Sequence, residues 1–274
     1  MHKGLYIQES AVAEEFDMPE PTKVMVAGDW HCNHRWSIQA LKTARLAGCD
    51  AIIHLGDFGY WPRDPYGPGY YKNIVRYLRD VCEGRIILYW IDGNHEDHMV
   101  LNGNPTIGNE VIRHLPRGHR WRWWDKTWMA VGGGVSVNKQ WLKEGVDWFS
   151  EEQLTMAQFE HCLRPGDVDV VVAHDTPSEV AIPGIHAQSK LGELTVTEWP
   201  RERIDASWEH RAIMSEIAKD KRPGFWFHGH YHVRYNGEWI HPEVPSSTTR
   251  IIGMDCDGSE MDLNTLTITR EDLA

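Results

Sequence analysis

Short apolar runs recur along the chain, and each is closed by a cluster of Gly, Asp, Asn or His. Lys23–Ala27, Ala51–Leu55 and Arg85–Ile91 are runs of this kind. They are too short for helices and apolar at consecutive positions, which predicts strands buried on both faces. Between and after them, Trp36–Leu46 and Tyr70–Val81 carry apolar residues at helical spacing, with Gly48 a natural stop for the first helix. Strand, polar loop and helix therefore alternate. That alternation is the βαβ pattern of a largely parallel sheet.

The second half repeats the theme less regularly. Asp97–Lys126 is rich in Asn, Gly and Pro and reads as loop, and Arg63–Gly69 reads as loop for the same reason. Trp128–Val131 leads into Gly132-Gly133-Gly134, but no Gly-Lys-Ser/Thr follows, so a strand passing close to other backbone is preferred over a phosphate loop. Ser150 opens a helix to about Leu163, with Gln153 at the capping-box position. Asp167–Ala173 is a further buried strand and Ile204–Lys219 a further helix. Between them, Ser178–Arg203 is long for an irregular segment in a compact domain and is read as a lid or binding loop. Phe225–Phe227, Arg250–Asp255 and Thr265–Thr269 complete the strands. Met1–Thr22 reads as a loosely held N-terminal arm, and 23–274 as a single domain.

Composition narrows the function. Apolar residues make up 41% and charged residues 25%, as in ordinary globular proteins. Nothing resembles a leader or a membrane span, so a soluble, cytoplasmic protein is expected. Five scattered cysteines form no disulfide framework, and Cys32 is not counted among candidate ligands. A formal charge of −12 argues against extended binding of duplex nucleic acid. It does not exclude a small anion, because bound cations reverse the local field. Trp121, Trp123, Trp124 and Trp128 are read as packing rather than binding residues.

The polar strand ends carry the chemistry. They are Asp29-x-His31, Asp57, Asn94-His95, His174 and His230-x-His232. In an extended chain, residues two apart project to one side, so His230 and His232 are expected to aim together, with Gly229 allowing close approach. Two carboxylates, an amide and several imidazoles suit manganese, iron, zinc, cobalt or nickel. The donors outnumber what one tetrahedral ion takes. They suit two ions sharing a carboxylate, an arrangement used for displacement at phosphorus.

In this order the blocks Asp-x-His, Gly-Asp, Gly-Asn-His-Glu, His and Gly-His-x-His resemble the signature of the calcineurin-like metallophosphoesterase superfamily, from Asp29 to His232. Val131–Val137 and Trp148–Glu152 are similar to its small bacterial and phage members. The resemblance implies an α/β fold, a four-layer αββα sandwich of two mixed sheets, and a cytosolic setting in bacterium or phage-infected host. It implies two divalent ions, manganese first. Asp29, His31 and His232 would hold one, Asn94, His174 and His230 the other, and Asp57 would bridge them. His95 would be the general acid, Glu96 would buttress its turn, and Asp175 would orient a neighbouring group.

The implied activity is hydrolysis of a phosphate ester by metal-activated water. The arginine that follows Gly-Asp in the family's protein phosphatases is missing, and Phe58-Gly59-Tyr60-Trp61 stand there instead. Tyr60, Trp61 and Arg63 are therefore candidate substrate contacts, together with Asn94 and His95, and a small or nucleotide-like phosphodiester is the favoured substrate. A nuclease, a phosphomonoesterase and a non-catalytic module on the same fold are the alternatives. Oligomeric state is not legible.

Overall fold

The computed structural model describes Phe16 and residues 18–104, 107–185 and 201–274. In chain order these form β1 (Val24–Ala27), α1 (His34–Ala47), β2 (Ala51–His54), α2 (Gly67–Arg76), β3 (Ile87–Trp90), α3 (His98–Gly103), β4 (Ile112–His114), β5 (Arg120–Trp123) and β6 (Lys126–Val131). There follow α4 (Met156–Leu163), β7 (Val170–Ala173), α5 (Arg201–Lys221), β8 (Phe225–His228), β9 (Tyr235–Ile240), β10 (Thr248–Gly253), α6 (Met261–Asn264) and β11 (Thr265–Ile268).

Two mixed sheets result. One has the order β11-β1-β2-β3-β4, parallel except for β11; the other has the order β5-β6-β7-β8-β10-β9, parallel except for its edges β5 and β9. Alternation along each strand builds the layers. Val24, Val26, Ile53 and Tyr89 meet Val170, Val172 and Phe227 between the sheets. The opposite faces bury Met25, Ile52 and Leu88 under α1 and α2, and Met129, Val171 and Trp226 under α4 and α5. This is the expected αββα sandwich.

Trp121, Trp123, Trp124 and Trp128 all lie in the inter-sheet core, with Trp121 and Trp128 stacked at 5.8 Å. The described end of the N-terminal arm is not loose. Met18 is buried with the tryptophans, and Trp124 Nε1 donates to Pro21 O at 2.6 Å. Residues 1–15 and 17 lie outside the described residues.

Several local expectations are corrected. Gly67, Pro68 and Gly69 form the first turn of α2 rather than loop; a proline costs nothing where no N–H partner exists. Residues Tyr77–Val81 continue as a π-helical turn. The stretch 97–126 holds α3, β4 and β5. No continuous helix runs from Ser150: a 3-10 turn ends at Glu152, and the capping box that starts α4 is Thr155 with Gln158, not Ser150 with Gln153. β6 ends at Val131, so the triple glycine is a loop, although close approach is its role: a Cβ on Gly132 would lie 2.1 Å from Asp92 Oδ1. Of the segment 178–203 expected to form a lid or binding loop, 178–185 are irregular, 201–203 belong to α5, and 186–200 lie outside the described residues. All five cysteines are free thiols.

Candidate metal centre

β1, β2 and β3 of one sheet and β7 and β8 of the other bring the five signature blocks together beyond their carboxyl ends, where α/β folds gather ligands. Asp29, Asp57, Asn94 and His174 are buried at the base. His31 and His232 lie nearer solvent, with ring centroids 4.9 Å apart.

The backbone, not strand alternation, aims these groups. β8 stops at His228, and His230 and His232 adopt φ of 70° and 53°. His31 and Asp57 adopt φ of 44° and 53°. Four of the seven candidate ligands thus sit in the left-handed region, which costs non-glycine residues energy and clusters at functional sites. The expectation of an extended His230-x-His232 is corrected accordingly. His228 points elsewhere, with Nε2 2.7 Å from Tyr235 Oη.

Glycines provide room. A Cβ on Gly229 would lie 2.1 Å from Asp29 Oδ1, and one on Gly93 would lie 2.2 Å from Asp57 Oδ1. The point where Gly134 would carry a Cβ is 3.0 Å from His174 Cδ2, 3.2 Å from Asn94 Oδ1 and 3.4 Å from His230 Cε1. Those three side chains therefore converge.

Two groups of donors lie within 4.8 Å of one another: Asp29, His31 and His232, and Asp29, Asp57 and His174. Asp29 is common to both. Asp57 presents Oδ2 to His31 Nε2 at 3.4 Å and Oδ1 to His174 Nε2 at 3.5 Å. His232 Nε2 lies 3.2 Å from Asp29 Oδ2, and His174 Nε2 lies 3.0 Å from Asn94 Oδ1. Five carboxylate and imidazole donors gathered this closely fit divalent cations, and Asn94 and His230 lie beside them against His174, the His230 ring centroid 4.8 Å from that of His174.

Burial raises the Asp57 pKa, but His174 and His95 outweigh it and hold the carboxyl well below its usual range. Burial likewise opposes the net fall at Asp29, which follows from hydrogen bonding to His232 and the charge of His174. Both groups are thus available as anions.

The supporting contacts were only partly legible. Glu96 does tie two loops, accepting from Gly59 N at 3.1 Å and from Gly93 N at 2.6 Å. His95 N donates to Asp57 Oδ1 at 2.7 Å. Asp175 accepts from Tyr231 Oη at 2.7 Å and pairs with His210 Nδ1 at 2.8 Å, which anchors the turn between His230 and His232. Asp257 has no motif around it, and nothing in the sequence singles it out. Its carboxylate meets His31 Nδ1 and Asn33 Nδ2, each at 2.7 Å.

A cleft of about 650 Å³ opens beside His95, lined also by Cys32, Trp61 and Arg63. Arg63 is bound to Asp97 through Nε at 2.5 Å and through a terminal nitrogen at 2.8 Å. Tyr60 is not among the lining residues; its ring packs on Tyr71 and Trp90 at 5.6 and 5.4 Å.

The calcineurin-like phosphoesterase family model matches residues 22–234, so the chain belongs to that family. Among solved structures, a protein from Thermus thermophilus is similar at 10% identity and a TM-score of 0.47, covering 91% of this chain and 99% of that one. A dimetal phosphatase from Danio rerio is similar at 11% identity and a TM-score of 0.47, covering 86% and 88%. No curated protein matches the sequence.

Proposed function

We propose that this chain is a two-metal phosphoesterase, one catalytic domain over 23–274, acting on a small phosphodiester. The observation that carries the reading is that Asp57 approaches His31 through one carboxylate oxygen and His174 through the other. Asp29, His31 and His232 would hold one cation, Asn94, His174 and His230 the second, and Asp57 would bridge. Manganese is the expected metal, with iron, zinc, nickel and cobalt as alternatives. When bound, such cations supply Lewis-acid activation of water and neutralise phosphoryl charge.

The protein's own residues do the rest. Asp257 holds the His31 ring through Nδ1, leaving Nε2 directed at Asp57 and Asp29. The His95 amide fixes the Asp57 carboxylate, and its imidazole protonates the leaving oxygen. Asn94 is held by its Nδ2 donating to Ser136 Oγ at 3.0 Å, which leaves Oδ1 toward His174.

Diesters are favoured over monoesters because no uncommitted arginine follows Asp57, and a monoester dianion gains most from a bidentate guanidinium. Trp61, in the cleft, offers a face for a nucleobase. Among the described residues, no helix is long and apolar enough to cross a membrane. A cytosolic setting is part of the proposal.

The test compares kcat/KM for a bis-aryl diester, an aryl monoester and a phosphopeptide with Mn present. The diester is expected to be fastest. Preference for the phosphopeptide would overturn the substrate assignment, and no turnover of any substrate would overturn the catalytic reading.

A further inference from the structure

We infer that the cleft beside His95 selects the departing alcohol by charge, admitting a neutral or cationic group and rejecting one that carries a further negative charge. This rests on the phosphoesterase reading of the adjoining centre.

The wall of the cleft carries Asp64, Asp97 and Asp147 against a single guanidinium, Arg63. That arginine is spent on the protein. Asp97 holds it bidentately, one terminal nitrogen also donates to Gly145 O at 3.3 Å, and the other lies 3.4 Å from Met99 Sδ. Its face lies over Phe149 at 5.4 Å. Asp97 is 1% exposed and caps α3 by accepting from Val100 N at 3.3 Å, so the pair is part of the frame. The Arg63 side chain is 43% exposed, but to clamp a second phosphate or a carboxylate it would have to give up its bidentate hold on the buried Asp97 carboxylate.

Asp64 and Asp147, by contrast, are exposed at the rim. Asp64 accepts backbone N–H groups of Tyr66 and Gly67 at 2.7 and 3.3 Å, which fixes it in place beside the opening. Trp61, Leu142 and Val146 add an apolar face to the lining.

The two ends of the site therefore have opposite preferences. The metal end attracts the phosphoryl anion. The far wall repels any second anion through partly screened carboxylates, while Trp61 can receive a flat base or an ammonium group. Selection by repulsion in this way needs no contact specific to the accepted alcohol. Nucleosides and amino alcohols satisfy the wall; nucleoside polyphosphates and acidic phosphopeptides do not.

The test uses methyl phosphodiesters of choline, ethylene glycol and glycolic acid, which match in length and differ in charge. Both kcat/KM and calorimetric Kd are measured on the Mn-loaded full chain. The glycolate ester is expected to be weaker than the ethylene glycol ester by about tenfold in each readout. The double variant Asp64→Asn, Asp147→Asn should narrow that gap to about threefold or less, and asparagine retains the capping oxygen at position 64. A glycolate ester bound as well as the neutral one, or a gap unchanged in the double variant, would overturn the inference. Retention of the charge order in Kd with no turnover of any ester would instead overturn the phosphoesterase reading while upholding the cleft's selectivity. Binding of none would overturn both.

Discussion

The carboxylate of Asp257 lies 2.7 Å from Nδ1 of His31, and its other oxygen takes Asn33 Nδ2 at the same distance. Asp257 N also donates to Asp29 O at 2.8 Å, so the two loops that carry Asp29 and Asp257 are locked together. His31 is thereby fixed with Nε2 facing Asp57. Partners of this kind orient ligand imidazoles and raise their basicity.

Asp257→Ala should weaken Mn binding by about 10–100-fold with little change in fold. Asp257→Asn should retain part of the affinity, since its amide oxygen can still accept from Nδ1–H. Calorimetric titration of metal into both variants checks this. Equal Mn affinity in wild type and Asp257→Ala would remove the positioning role.

Asp57→Asn keeps the shape of the proposed bridge and removes its charge. The variant should lose most activity and at least one metal equivalent, read by elemental analysis after desalting. An active variant that holds two ions tightly would exclude bridging by Asp57.

The leaving group provides a probe of His95. Loss of a general acid typically costs about 10²–10⁴-fold. His95→Ala should show a loss of this order on alkyl diesters and much less on nitrophenyl diesters, whose leaving group needs no proton, with both metals retained. Equal losses on the two substrate types would argue against proton donation.

His119 contributes a share of the pH dependence of folding, alongside the buried His54, His98 and His228, whose pKa values burial also lowers. It is buried against Phe16 and Trp121, and neither ring nitrogen has a hydrogen-bond partner among the described residues. Burial, aided by the charges of His114 and His161, pushes its pKa down to about 4, below the ordinary 6.5. Between those values the unfolded chain takes up the proton first. The stability is therefore fully present above about pH 6.5 and is lost as pH falls toward 4, the loss amounting to about 2 kcal/mol at pH 5. His119→Phe should flatten this part of the profile, measured by urea melts at pH 7.5 and 5. A pH dependence unchanged by the substitution would refute the assignment.

Much of this was legible in the chain because the inner strands are buried on both faces. Val24–Ala27 and Val170–Ala173 show it directly, as uninterrupted apolar runs closed by a polar residue. The edge strand β9 was not, because Tyr235–Ile240 contains Asn236, Gly237 and Glu238 and only its Trp239 is buried. The candidate ligands were visible as residue types, but the turns that aim them were not. Left-handed φ at His31, Asp57, His230 and His232 follows from tertiary contacts such as His31 N donating to Asp57 O at 2.8 Å. Asp257 was invisible for a related reason. It lies 226 residues from His31, and a single Asp in a polar loop carries no local signal. The sequence makes Arg63 a candidate substrate contact, but its capture by Asp97 depends on a loop 34 residues away.

Titrating Mn into chelated wild-type protein while following hydrolysis of bis-nitrophenyl phosphate tests the two-cation centre most directly. Activity should rise to a plateau at two equivalents per chain. A plateau at one equivalent, or no hydrolysis at any Mn concentration, would contradict a two-metal phosphoesterase.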